Sequence, residues 1–190
     1  IIFVRNTYES NKWGFYDGST TLLGSVLDTN RWYNLVLTKN GTTYTIFLNG
    51  TQEGQSTKLN INITDLLIGR RSYNGFYFNG EIDEVAIWNR TLSASEITTI
   101  YNSGAPGNLI ALSNKPVAYY PLGEQARRGS EWQFPNEVLQ SQVFDFDATD
   151  YINVSPILPL QGLSSFSISS WVYWDGHGGG SDQWIFMHAN

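Results

Sequence analysis

Apolar and polar residues alternate along most of this chain, with short turn signals between the runs, as half-buried strands require. IIFVR (1–5) opens on an apolar run, and KWGFYDG (12–18) and STTLLGSVL (19–27) follow, parted at Gly18. Leu35, Val36 and Leu37 mark the next strand. Asn40-Gly41 is a two-residue hairpin signal, Tyr44, Ile46 and Leu48 alternate on the return strand, and Asn49-Gly50 turns the chain again. A strand ending at Gly69 precedes a longer one through GEIDEVAIWN (80–89), where Ile82, Val85 and Ile87, with Trp88, interrupt polar neighbours. Ser93 followed by Glu96 is a capping box, in which each side chain satisfies an orphan donor of the other residue's backbone. It predicts one short helix near 93–102, stopped at Gly104. Residues 104–115, with Gly, Pro, Ser and Asn, read as a linker. Beyond it PVAYYPLGE (116–124), VFDFDATDYINV (143–154), LSSFSISSWVYW (163–174) and IFMHAN (185–190) read as strands, with GHGGGSDQW (176–184) as a flexible loop.

This is an all-β pattern with one helix, and it predicts a two-sheet antiparallel β-sandwich, a jelly roll. A length of 190 residues suits one such domain, and a 41% hydrophobic share is enough for a sizeable core. The net charge of −6, with no clustered Lys and Arg, argues against nucleic acid and anionic membrane surfaces as partners. No apolar run approaches the ~20 residues that span a bilayer. The absence of cysteine excludes disulfides and thiolate metal sites. The chain begins at Ile1, which suggests a mature product, a fragment or an ordered part of something longer.

The order of these signals is specific. WYNLVLT (32–38), an Asn-Gly turn, YTIFLNG (44–50), LLIG (66–69) and FNGEIDEVAIWNRTLSASEI (78–97) together resemble the back half of a laminin-G-like, concanavalin-A-like domain. Residues 116–190 resemble the front half of the same family. The resemblance divides the chain into a back half (1–103), a linker (104–115) and a front half (116–190), a register cut in mid-domain. Trp184–Asn190 sits at the family position held by Ile1–Thr7, as in one period of a tandem array. Two arrangements are open: halves of successive domains, or one permuted domain. The length of one full domain favours pairing within the chain, since half a sandwich leaves sheet edges and an apolar face uncovered.

Glu81 and Asp83 lie two apart on a strand and share a face, with Glu84 on the other. Jelly-roll glycoside hydrolases place two carboxylates about a glycosidic bond on such a strand. Here Val85 and Ala86 stand where the second Glu is needed, so the expectation is no enzyme. The family resemblance implies a structural calcium where first and last strands meet, with Asp83 and Glu124 as acidic ligands. Asp147, in the cluster Asp145, Asp147 and Asp150, is a further candidate. The alternative use of Asp83 and Asp147 is to accept backbone hydrogen bonds in turns. His177 and His188 are the two histidines, too few for a zinc site without cysteine.

Two aromatic loops are candidate ligand sites: Trp174, His177 and Asp182 beside Trp184, and Tyr73 and Tyr77 beside Asn74 and Phe76. Sugars bind where an aromatic face stacks on the C–H side of a ring. Trp32, Trp88 and Trp171 read as core from their strand context. The expected function is a non-catalytic module of an exported, cell-surface or virion-surface protein that binds a glycan or a surface protein. The alternative is a structural repeat that assembles with copies of itself, and a glycoside hydrolase ranks third.

Overall fold

The computed structural model describes residues 2–5, 11–16, 21–57, 66–70, 76–106, 109–122, 127–128, 131–132, 144–147, 151–154, 162–176 and 183–187. In chain order the strands are β1 (Ile2–Arg5), β2 (Lys12–Tyr16), β3 (Thr21–Val26), β4 (Trp32–Asn40), β5 (Thr43–Leu48), β6 (Thr51–Thr57), β7 (Leu66–Ile68) and β8 (Asn79–Trp88). The helix α1 (Ala94–Tyr101) follows. Then come β9 (Ala118–Tyr120), β10 (Arg127–Arg128), β11 (Glu131–Trp132), β12 (Phe144–Asp147), β13 (Ile152–Val154), β14 (Ser165–Trp174) and β15 (Gln183–Met187).

Two antiparallel sheets form the body. One has the order β13-β7-β15-β1-β2-β3, the other β12-β8-β14-β4-β5-β6, with β9 on the remaining length of β8. Strands from both ends of the sequence alternate in both sheets. Ile2 pairs with Phe186 and Phe3 with Trp184, while β14 lies between β4 and β8. The main core lies between the sheets and contains Trp13, Phe15, Leu35, Leu37, Ile82, Val85, Ile168, Val172, Trp174 and Phe186, among others.

The local chemistry explains the turns. Asn49 and Gly50 take φ of 49° and 78° and join the closing pair Leu48–Thr51, as a type I′ turn requires. The first hairpin is offset by one residue from its sequence signal. Asn40 closes the ladder against Thr43, and Gly41 with Thr42 makes the turn. The capping box forms at Ser93 and Glu96. The helix ends earlier than Gly104, because Asn102 takes the left-handed conformation at φ 46°.

A second apolar cluster lies on the outer face of the seven-stranded sheet. Val36, Phe47, Ala86 and Trp88 rise from the strands, and Ile97 and Ile100 of α1, with Leu92 just before it, cover them. The stretch expected as a linker belongs to this cover. Leu109 is buried there, and the Trp88 indole donates to the Asn114 carbonyl at 3.0 Å. The Glu96 carboxylate ties the cover together. It accepts from both Arg90 guanidinium nitrogens, at 2.9 and 2.7 Å, from the Ser93 N–H at 2.9 Å and from the Asn114 amide at 2.9 Å. The Arg90 hydrogen bonds, chiefly, hold its pKa down at about 2.

At one edge Glu53 of β6 stitches the two sheets. It accepts from the Trp13 indole at 2.6 Å, from the Ser25 N–H at 2.9 Å and from the Ser25 hydroxyl.

Candidate functional site: an aromatic and acidic face beside the helix

Strand β14 carries Phe166, Ile168, Val172 and Trp174 into the core, so Ser167, Ser169, Trp171 and Tyr173 face outward. Strand β4 turns Tyr33, Leu35 and Leu37 inward and leaves Trp32, Asn34 and Val36 outward. Register then builds two adjacent rungs across three strands. Glu81, Tyr173 and Trp32 form one, and Asp83, Trp171 and Asn34 form the next. The first rung carries the exposed Trp32, and the second lies against the end of α1, where Tyr101 stacks on Trp171.

A β-bulge in β8 sets this face. Ser169 pairs with Ala86 and Trp171 with Asp83, so three steps on β8 match two on β14. Glu84 is the extra residue, at φ 52°. Its N–H donates to Asp83 Oδ1 at 2.8 Å, and its own carboxylate accepts the Tyr119 hydroxyl. The simple two-residue alternation read from sequence is interrupted here. Ile82 and Val85, three apart, both face the core, and the outward positions become Glu81, Asp83 and Ala86. Ala86 is fully buried in the cluster beneath the helix. The outward position that a second hydrolytic carboxylate would need is therefore an alanine sealed from solvent.

The aromatic rings are arranged in pairs. Trp32 is 37% exposed and tilts against Tyr173, ring centres 5.5 Å apart. Trp171 is buried and stacks on Tyr101 of the helix at 5.9 Å. Between the sheet and the end of the helix lies a cavity of about 100 Å³, lined by Trp32, Asp83, Trp171, Gly104 and Pro106. A larger cavity of about 190 Å³ lies on the other side of α1, between Trp88, Arg90, Glu96 and Asn114. There the principal charges, Arg90 and Glu96, are already joined.

The residues singled out from sequence fall in different places. Tyr73, Glu124, His177 and Asp182 lie outside the described residues. Trp174 is corrected from ligand stacking to core. It is fully buried, and its indole donates to Gln183 Oε1 at 3.1 Å. Trp32 is corrected in the opposite direction, from core to the most exposed tryptophan of this face. Tyr77 is half-buried and bridges Arg70, away from the two rungs.

Of the calcium ligands that the resemblance implies, Asp83 lies on β8 and Glu124 lies outside the described residues. Asp147 pairs with Asn79, four residues from Asp83 along β8. That is about 13 Å of strand, against the roughly 5 Å that separates two oxygens on one calcium. Among the described residues no three acidic or histidine side chains form a group able to hold a metal. Asp83 and Asp147 therefore do not fit one shared calcium site.

The signal that locates the actual face was present in the sequence. Period two from Phe166 to Trp174 assigns Trp174 inward and Trp171 outward, and period two from Tyr33 to Leu37 assigns Trp32 outward. Among comparisons with known proteins, the family model described as the concanavalin A-like lectin/glucanases superfamily, of laminin-G type, matches residues 3–98. No curated protein and no solved structure matches the chain.

Proposed function

The chain belongs to the concanavalin A-like lectin/glucanases superfamily, and from that premise we propose that it is a non-catalytic carbohydrate-binding module. The observation that carries this reading is the exposed Trp32 ring on a sheet face, braced by Tyr173 and flanked by Glu81 and Asp83. An indole held in place by a second ring loses little freedom when a sugar's C–H face stacks on it. The half-buried Glu81 carboxylate one strand over from Tyr173 supplies acceptors for hydroxyl groups. The part of the Trp32 indole left open, at the start of β4, offers a flat apolar surface to a ligand.

The same face supports the non-catalytic part of the reading. Hydrolysis by a carboxylate pair needs the two groups about 5–10 Å apart across the bond. On the outward row of β8 Glu81 is half-buried, Asp83 is buried with its Oδ1 accepting the Glu84 N–H, and Ala86 is sealed, so the row does not present two open carboxylates. Superfamily membership is consistent with a module of an exported or surface protein.

The test is a glycan array probed with the 190-residue chain and with Trp32→Ala. Binding to a defined set of glycans that disappears in the variant, with its circular dichroism unchanged, is the expected result. Turnover of a polysaccharide that is lost on Glu81→Gln would contradict the non-catalytic reading.

A further inference from the structure

We propose that the cavity beside Trp32 takes the acetamido group of an N-acetylated sugar whose ring stacks on the open part of Trp32. The inference rests on the binding reading above and names the class of sugar. Size comes first. The cavity is about 100 Å³, whereas one of ~150 Å³ accommodates benzene in an engineered protein core. In proportion, this one holds roughly two thirds of a benzene ring, or about four heavy atoms. A pyranose ring and a phenyl group are too large for it. A flat acetamido group has that number of atoms.

The lining then selects among small groups. The indoles of Trp32 and Trp171 and the Pro106 ring supply apolar walls, and Gly104 adds no side chain. Asp83 is the charged residue of the lining, and it is already engaged, with its Oδ1 accepting the Glu84 N–H. The cavity therefore offers apolar contact rather than a counter-charge. A hydroxyl or hydroxymethyl group would give up water there without a new partner. A lone methyl leaves most of the volume empty. An acetamido group leads with its methyl, and its N–H and C=O, next to the sugar ring, stay at the mouth.

Position links the cavity to the stacking surface. Trp32 belongs to both, since it is 37% exposed and also lines the cavity. Gly104 and Pro106 are exposed as well, while Trp171 is buried and held by Tyr101. Across a trans amide the methyl carbon lies about 3.8 Å from the ring carbon that bears the nitrogen, the spacing of successive Cα atoms. A sugar on the open part of Trp32 thus extends a short apolar arm past the edge of its own ring, toward the inner indole.

The experiment is a titration of the isotopically labelled 190-residue chain, followed by indole and amide NMR shifts. The ligands are two pairs of methyl glycosides, of glucose with N-acetylglucosamine and of galactose with N-acetylgalactosamine. The methyl glycoside of N-benzoylglucosamine and N-acetyllysine amide complete the set. In at least one pair the N-acetyl sugar is expected to bind at least about fourfold tighter than its parent, the effect of burying one methyl group. Saturable shifts are expected at the Trp32 and Trp171 indoles, with no such gain for the N-benzoyl sugar. Pro106→Ala, at an exposed position, removes one apolar wall and is expected to bring the ratio below about twofold with the parent sugar unaffected.

Equal affinity within both pairs, with shifts at Trp32, would overturn the proposal and leave the stacking reading standing. An equal gain for the N-benzoyl sugar would overturn the size argument. A preference without shifts at Trp171, or one untouched by Pro106→Ala, would overturn the location. Tighter binding of N-acetyllysine amide than of either N-acetyl sugar would overturn the assignment to a sugar. If none of the sugars binds, the proposal falls, and the array with Trp32→Ala decides the stacking reading separately.

Discussion

Substitution of Glu96 by Gln isolates one charge in the cover over the sheet. Glutamine can serve the capping box as well as glutamate, and its carbonyl oxygen still accepts a hydrogen bond. What it removes is the negative charge facing the Arg90 guanidinium. The Glu96 carboxyl has its pKa lowered from 4.5 to about 2, first by the Arg90 hydrogen bonds and then, against the cost of burial, by those from Ser93 and Asn114. At about 1.4 kcal/mol per unit, that shift corresponds to an upper bound of about 3 kcal/mol. The Glu96 side chain is 27% exposed and Arg90 37%, so solvent screening reduces this to about 1–2 kcal/mol.

The sign follows from linkage. A carboxyl whose folded pKa is depressed contributes fully above its unfolded value. That contribution is lost as pH falls from about 4.5 toward about 2. Urea unfolding of wild type and Glu96→Gln across this range is the assay. The variant is expected to be less stable by about 1–2 kcal/mol at pH 7, a drop in Tm of roughly 2–8 °C for a chain of this size. The two curves should converge near pH 2, where wild-type Glu96 is itself becoming neutral. A gap that stays constant from pH 7 to pH 2, or no gap at pH 7, would refute the reasoning.

Two further outcomes follow from buried polar groups. Lys39 is fully buried, donates to the Leu163 carbonyl at 2.8 Å and has its pKa lowered by desolvation. The unfolded chain therefore binds more protons as pH approaches 10.5, and wild-type stability should rise with pH in that alkaline window. Lys39→Met should flatten that rise and gain about 1 kcal/mol at pH 7, and parallel pH profiles would contradict it. Glu53→Ala leaves the buried Trp13 indole N–H without its acceptor, at a cost of about 1–3 kcal/mol. Hydrogen exchange should quicken first in β3 and β6, the edges that Glu53 joins.

How far the sequence could be read depended on whether a feature was local. The Asn49-Gly50 turn, the capping box and the sandwich architecture follow from short-range chemistry, and each is present. The bulge at Glu84 does not announce itself, because a glutamate at positive φ carries no sequence signal of the kind glycine does. It shifts the β8 alternation and leaves Ala86 under the helix. Trp32 and Trp174 were misassigned for a different reason. Strand context alone counts Trp32 as core, whereas the neighbouring Gly-rich loop makes Trp174 a ligand candidate. Parity within β4 and β14 assigns them correctly. Which outward residues stay accessible then depends on where α1 and residues 109–115 lie, and that is decided by tertiary packing on Val36, Phe47 and Trp88. Asp147 was a candidate from its acidic cluster alone, and its pairing with Asn79 separates it from Asp83.

The central claim is that ligand recognition lives on the Trp32 face of the seven-stranded sheet. Its most direct test is a solution titration of a glycan selected from the array, against wild type and Trp32→Ala, with indole NMR shifts as the readout. The account predicts saturable shifts at Trp32 and Trp171, little change at the buried Trp174, and at least a tenfold loss of affinity in the variant, in line with the ~1–3 kcal/mol of a stacked aromatic contact. Unchanged affinity in Trp32→Ala, or an array on which no glycan is bound, would contradict it.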